Sequence, residues 1–156
     1  VTVSFGVEVM LLMSKTLPSA KSSSDPAERD RIRRLVSERG LCGLANDTKW
    51  DEFIGAMRAR TDWRPSYRFK CIGGIPSRWD VEWFYHLPLP MIAVEWFDVG
   101  YQQELREHRQ PPRVQMIDYS PWLEELLRRV GLDFRKGSSF IRIFGYSPRS
   151  LELFDE

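Results

Sequence analysis

The most regular pattern in the chain runs from Arg78 to Val99, where apolar and polar side chains alternate in two blocks parted by Leu87-Pro88-Leu89-Pro90. A period of two sends successive side chains to opposite faces of a strand. In the first block Trp79, Val81, Trp83 and Tyr85 share one face, and Asp80, Glu82, Phe84 and His86 the other. In the second, Ile92, Val94 and Trp96 alternate with Met91, Ala93, Glu95 and Phe97. Two strands are predicted, over 78–86 and 91–98, with an apolar side and a side where Asp80, Glu82 and Glu95 stand among aromatics. Tyr67-Arg68-Phe69-Lys70-Cys71-Ile72 alternates too, giving a strand over 66–72 that reaches the pair through Gly73-Gly74 and Pro76. Connections this short make an antiparallel meander and cannot carry a parallel crossover. Phe140 to Tyr146 predicts the fourth strand, over 140–146, with Ile141 and Ile143 opposite to Phe140, Arg142 and Phe144.

Three stretches switch to the helical period. Asp25-Pro26 is a cap followed by proline at the first helical position, and starts a helix over 26–39 that Gly40 stops. Ile32, Leu35 and Val36 mark its buried stripe; Arg29, Arg31, Arg33 and Arg34, interleaved with Glu28, Asp30 and Glu38, read as a solvated face. Thr48 with Asp51 resembles a capping box at the head of a second helix, over 48–60. Trp50, Phe53, Ile54 and Met57 then fall on one stripe. Ser120-Pro121 opens a third, over 121–130, burying Leu123, Leu126, Leu127 and Val130 before Gly131 closes it.

The remainder lacks period. Gly100 to Arg113 is polar and reads as a long loop, functional or merely mobile, before an extended piece at Val114–Ile117. The acidic end after Pro148 is expected to be loose. Val1, Val3, Phe5, Val7 and Val9 alternate as an edge strand would, while an initial valine suggests a start at Met10 or Met13 instead. Residues 1–24 are therefore read as a doubtful leader and Ser-rich linker, and 25–150 as one globular domain. The fold class expected is α+β: a mainly antiparallel four-stranded sheet with about three helices in a single layer.

Composition narrows the function classes. With 23 basic against 22 acidic residues the net charge is +1, so no global field draws the chain to nucleic acid or an anionic membrane. The apolar start is too short to span a bilayer and lacks a secretory signal's basic head. Cys42 and Cys71 form no metal-binding spacing, and with only His86 and His108 beside them no metal site is expected. No nucleotide-binding loop, dinucleotide glycine pattern or zinc-protease helix is present, and no cofactor is expected. The cysteines suit a reduced cytoplasmic chain.

Candidate chemistry gathers on the acidic strand face. Asp80, Glu82 and Glu95, with Arg68, Lys70 and Arg142 from neighbouring strands, form either cross-strand ion pairs or a site for acid–base work. His86 beside the proline turn is a possible base to go with them, or a strand-end cap. Asn46, Asp47, Thr48 and Lys49 pack four polar groups at a helix start, where an anion could bind, although ordinary capping accounts for them as well.

Asn46-Asp47-Thr48-Lys49-Trp50, Cys71 after Arg68-Phe69-Lys70, Trp79-Asp80-Val81-Glu82-Trp83-Phe84-Tyr85-His86, Glu95-Trp96 and Arg142-Ile143-Phe144-Gly145-Tyr146 together carry a likeness. Over roughly residues 41 to 146 the chain resembles a small uncharacterised bacterial family, domain of unknown function 6678. Val81 stands where the resemblance leads one to expect a smaller residue, often glycine. The resemblance brings no activity, substrate or cofactor. The first functional expectation is a non-enzymatic interaction protein, immunity-like in one version, with a protein partner on the acidic-aromatic face or the 100–113 loop. Its binding residues would be Asn46, Asp47, Lys49, Arg68, Glu82, Glu95 and Arg142. The alternative is a carboxylate-dependent hydrolase using Asp80, Glu82, Glu95 and His86.

Overall fold

The computed structural model of the chain describes residues 17–22 and 25–155, so the edge strand expected within 1–13 lies outside the described residues. Along the chain come α1 (Pro26–Glu38), β1 (Cys42–Gly43), α2 (Asp47–Ala59), β2 (Tyr67–Cys71), a 3-10 turn (Met91–Ala93) and β3 (Val94–Gly100). Then follow β4 (Gln102–Glu107), β5 (Arg113–Asp118), α3 (Ser120–Val130), β6 (Asp133–Lys136), β7 (Phe140–Phe144) and β8 (Tyr146–Ser147). The main sheet has the order β2-β3-β7-β6, and two-stranded sheets join β1 to β8 and β4 to β5. Every pairing among the described residues is antiparallel, and with the helices this makes the fold α+β.

The helices start where their caps put them. Asp25 accepts the Glu28 N–H at 2.7 Å, with Pro26 following. For α2 the cap is Asn46, whose Oδ1 accepts the Lys49 N–H at 2.8 Å, so the capping box expected of Thr48 and Asp51 does not form. Asp51 instead accepts the Ala20 N–H at 2.7 Å, tying the preceding segment to the helix. Gly131 closes α3 at φ 83°, in the left-handed region that other residues rarely adopt.

One face of the main sheet meets α2 and α3. Trp50, Phe53, Ile54 and Met57 from α2, and Leu123, Leu126, Leu127 and Val130 from α3, pack on Tyr67, Val94, Phe97, Val99, Ile141 and Ile143. Each such apolar side chain contributes about 1.5–3 kcal/mol when fully buried. α1 buries Ile32 and lies beside the 3-10 turn, with Leu35 and Val36 half-buried.

Two expected elements differ. The 78–86 stretch is a loop, and its one ladder contact is the isolated bridge from Asp80 to Tyr67. Its main-chain donors are taken by its own carboxylates: Asp80 accepts the N–H groups of Val81 and Glu82, and Glu82 those of Phe84, Tyr85 and His86. Side-chain acceptors of this kind compete with ladder formation. The expected common face dissolves accordingly, since Trp83 is buried while Val81 and Tyr85 are exposed. The sheet's fourth strand is β6, not 78–86. Nor is 100–113 a long loop: it holds β4 and the turn into β5. Neither face of that ribbon is buried, so no apolar period announces it.

Candidate functional site

A bulge in β3 sets the far face of the sheet. Lys70 pairs with Trp96 and Cys71 with Val94, which leaves Glu95 as an extra residue. The extra residue shifts the alternation, so Val94, Phe97 and Val99 face the helices while Trp96 and Asp98 face away. Gly145 makes the bulge possible: its N–H donates to Glu95 O at 2.9 Å, and a Cβ there would collide with the Val94 carbonyl. Glu95 takes bonds from Arg39 at 2.8 and 3.4 Å and lies 3.6 Å from Lys70.

The centre of this face is an ion triad. Arg142 and Asp98 are both fully buried, and Arg142 donates to both Asp98 oxygens, at 2.7 and 3.0 Å. Arg68 donates to the same carboxylate at 2.9 Å. The Arg142 guanidinium lies 3.7 Å from the Trp96 ring centre, and Arg68 lies 4.7 Å from Trp79. Trp96 Nε1 is buried without a hydrogen-bond partner among the described residues.

The C-terminal segment covers the triad. Arg142 donates to Ser150 O and Arg68 to Leu153 O, each at 3.0 Å, and Glu152 pairs with Lys70 at 3.1 Å. Phe154 meets Phe140 edge-on, and Ser138 N–H donates to Asp155 O. The acidic end expected to be loose is thus pinned through its main chain. Arg68, Glu95 and Arg142 come together as the sequence suggested, but under this cover and without Glu82. The two glutamates are held apart: Glu82 O accepts from Tyr67 OH in the helix-side core, whereas Glu95 belongs to the opposite face.

Asp80, Glu82 and His86 share the 80–86 loop. Asp80 Oδ2 lies 2.9 Å from His86 Nδ1. Hydrogen bonds from the Glu82 N–H, His86 and the Val81 N–H hold the Asp80 carboxyl below its ordinary 3.8. Burial pushes Glu82 upward, but the N–H groups of Tyr85, Phe84 and His86 outweigh it and leave the group below 4.5. Neither is tuned as a general acid, which needs a raised value. Burial pushes the Cys71 thiol up to about 11, with Glu28 adding and Arg31 opposing, so it is a poor nucleophile. Both cysteines are free thiols.

Asn46 and Asp47 line a cavity of about 300 Å³ together with Arg29, Arg33, Trp50 and Tyr146. Its cations are engaged, Arg29 with Asp47 at 3.6 Å and Arg33 with Asp30 at 3.4 Å. Two of the segments that carry the family likeness, 46–50 and 142–146, converge here. Lys49 points elsewhere, with its Cε and Nζ beside Gly131 at the end of α3.

Sequence reasoning read Val114–Ile117 as extended, which is the body of β5, but missed β4 and the arm the two strands form. Its strands pack chiefly on each other, and Leu105, Val114 and Met116 are exposed along it. The root is firm: Tyr119 stacks on Trp63 at 4.2 Å and donates to Gln103 Oε1, while Tyr101 OH donates to Gly137 O. Tyr119 N–H donates to Tyr101 O at 2.8 Å, in register with the ribbon, which puts Tyr101 and Tyr119 in the phase of the hydrogen-bonded pairs, although the Tyr101 N–H itself goes to Ser139 O at 3.3 Å. Such pairs alternate along an antiparallel ladder. Gln103–Ile117 and Leu105–Gln115 are then the bonded pairs. The main-chain groups of Glu104 and Arg106, and of Val114 and Met116, point outward to the two edges, which no other strand among the described residues takes up.

Among the described residues no cluster of three His, Cys, Asp or Glu side chains is placed to hold a metal ion, and no helix is long and apolar enough to cross a membrane. The fold and these surfaces define an α+β domain with an antiparallel sheet and a projecting two-stranded arm. The chain belongs to the family described as Family of unknown function (DUF6678), which it matches over residues 32–150. No curated protein and no solved structure matches it.

Proposed function

We propose that the chain is a non-enzymatic protein-interaction domain whose docking element is the β4–β5 arm. The supporting observation is that a two-stranded ribbon stands clear of the core with exposed apolar side chains and, among the described residues, open edges. A hairpin alone in water is marginally stable, and a third strand or a packed face secures it. The outer edge of β5 suits that role: between Arg113 and Asp118 it reads Val-Gln-Met-Ile, without the charges that keep foreign strands off an edge. A partner strand laid against Val114 and Met116 takes up their outward main-chain groups. The setting is the bacterial cytoplasm, and neutralising a toxin in the manner of an immunity protein is one concrete version. The acidic-aromatic sheet face is the weaker docking surface, because the C-terminal segment occupies it.

A photo-crosslinking residue at Met116 should capture one dominant partner in cell extract, and the same residue at exposed Arg34 on α1 should not. Adding Val114→Lys to the chain that carries the probe at Met116 should abolish that product while leaving the circular dichroism spectrum unchanged. Equal labelling from both sites would sink the proposal.

The hydrolase reading is favoured by the Asp80–His86 contact alone. Against it stand two carboxyls shifted downward and a His86 ring that lies in an exposed loop.

A further inference from the structure

We infer that the other edge of the arm, the outer edge of β4, pairs with the same edge of a second copy of this chain. The inference rests on the reading of the arm as a docking element but concerns a different strand and a different occupant.

The main-chain groups of Glu104 and Arg106 point outward, so they are the residues an added strand would bond. Run antiparallel against itself about Leu105, the strand sets Glu104 opposite Arg106 of the second copy, and Arg106 opposite Glu104. Both are then hydrogen-bonded pairs. Leu105 meets Leu105 as the non-bonded pair between them, where strands approach most closely. Gln103 falls opposite Glu107, and no like charges face each other. Charges on an edge normally repel an incoming strand. Here the sign reverses from Glu104 to Arg106, so the edge complements its own reverse, and opposite charges directly across a pair favour it. A parallel alignment sets Glu104 against Glu104 and is disfavoured. A one-residue slip turns the side chains to the wrong face. In the single copy Arg106 is 2.8 Å from Glu104 of its own strand, both largely exposed, so each is free to exchange that partner for one across the axis.

One strand pair is smaller than the roughly 1,200 Å² of a stable interface, so association is expected near about 100 micromolar. Sedimentation of the full chain should show a reversible monomer–dimer equilibrium around that concentration, weakened in about 1 M salt. Glu104→Arg and Arg106→Glu should each give monomers, by setting like charges across the axis. An equimolar mixture of the two variants should restore the dimer, as should the double variant. Val114→Lys should leave the dimer intact while removing the partner crosslinked from Met116, which separates the two edges. A wild-type chain that stays monomeric, a dimer indifferent to both charge reversals, or a mixture that fails to reassociate would overturn the inference, whatever the Met116 crosslink shows.

Discussion

Arg142 is the residue on which the far side of the sheet turns. Its guanidinium has both Asp98 oxygens, the Ser150 carbonyl and the Trp96 ring around it, and none of it reaches solvent. Without Arg142 the buried Asp98 would keep only Arg68, and removing one member of a buried pair costs about 3–5 kcal/mol. Arg142→Ala is therefore expected to lower the free energy of unfolding in urea by that amount. Arg142→Lys should recover only part of it, since an ammonium cannot grip both oxygens and the carbonyl together. A change under about 1 kcal/mol would mean that the pair is solvated after all. Arg68, Glu95 and Arg142 were legible as polar residues interrupting apolar strands. Asp98 was not singled out, because strict alternation sets it with Ile92, Val94 and Trp96 on the side read as apolar, opposite to Glu95, and nothing in the sequence marks the bulge that turns it to the far face.

At the scale of the element, the 80–86 loop shows where period counting fails. Asp80 and Glu82 alternate with tryptophans as a strand would have them, yet each folds its carboxylate onto following N–H groups. The loop is consequently sensitive to acid. Glu82 is held below its ordinary 4.5, so its contribution is complete above that value and is lost as the pH falls through the lowered one. The amide resonances of Phe84, Tyr85 and His86 should shift together in a single step below about pH 4.5. Glu82→Gln should remove that step. A midpoint above the ordinary value, or a step surviving the substitution, would refute it. The helices were read more faithfully, because caps and apolar stripes are local signals: α1 and α3 end within a residue or two of their expected bounds. The caps themselves were read less well: at α2 Asn46 takes the place expected of Thr48, and at α3 Ser120 lies inside the helix with its N–H held by Asp118.

For the molecule as a whole, the helix-side core was the most legible part. The four stripe residues of α2, the four of α3, and Ile141 with Ile143 all lie where their spacing placed them. Pairing order was less accessible. Replacing 78–86 by β6 required knowing that a four-residue strand after α3 outcompetes a longer alternating stretch whose donors are already satisfied. Of the arm only β5 was legible, as the extended piece at Val114–Ile117; β4 showed no hydrophobic period because the ribbon buries neither face.

The arm's tip also divides the chain at an unusual place. β2 and β3 precede it, β7 and β6 follow it, and β3 pairs directly with β7. Residues 108–112 are exposed and include Arg109, so brief trypsin treatment should nick there and yield 1–109 and 110–156. The fragments should elute together until urea parts them, and elution as separate species in plain buffer would show that the shared sheet does not hold. Each half carries a strand the other needs, so this backbone can be cut into a complementing pair, able to report when two tethered proteins come together.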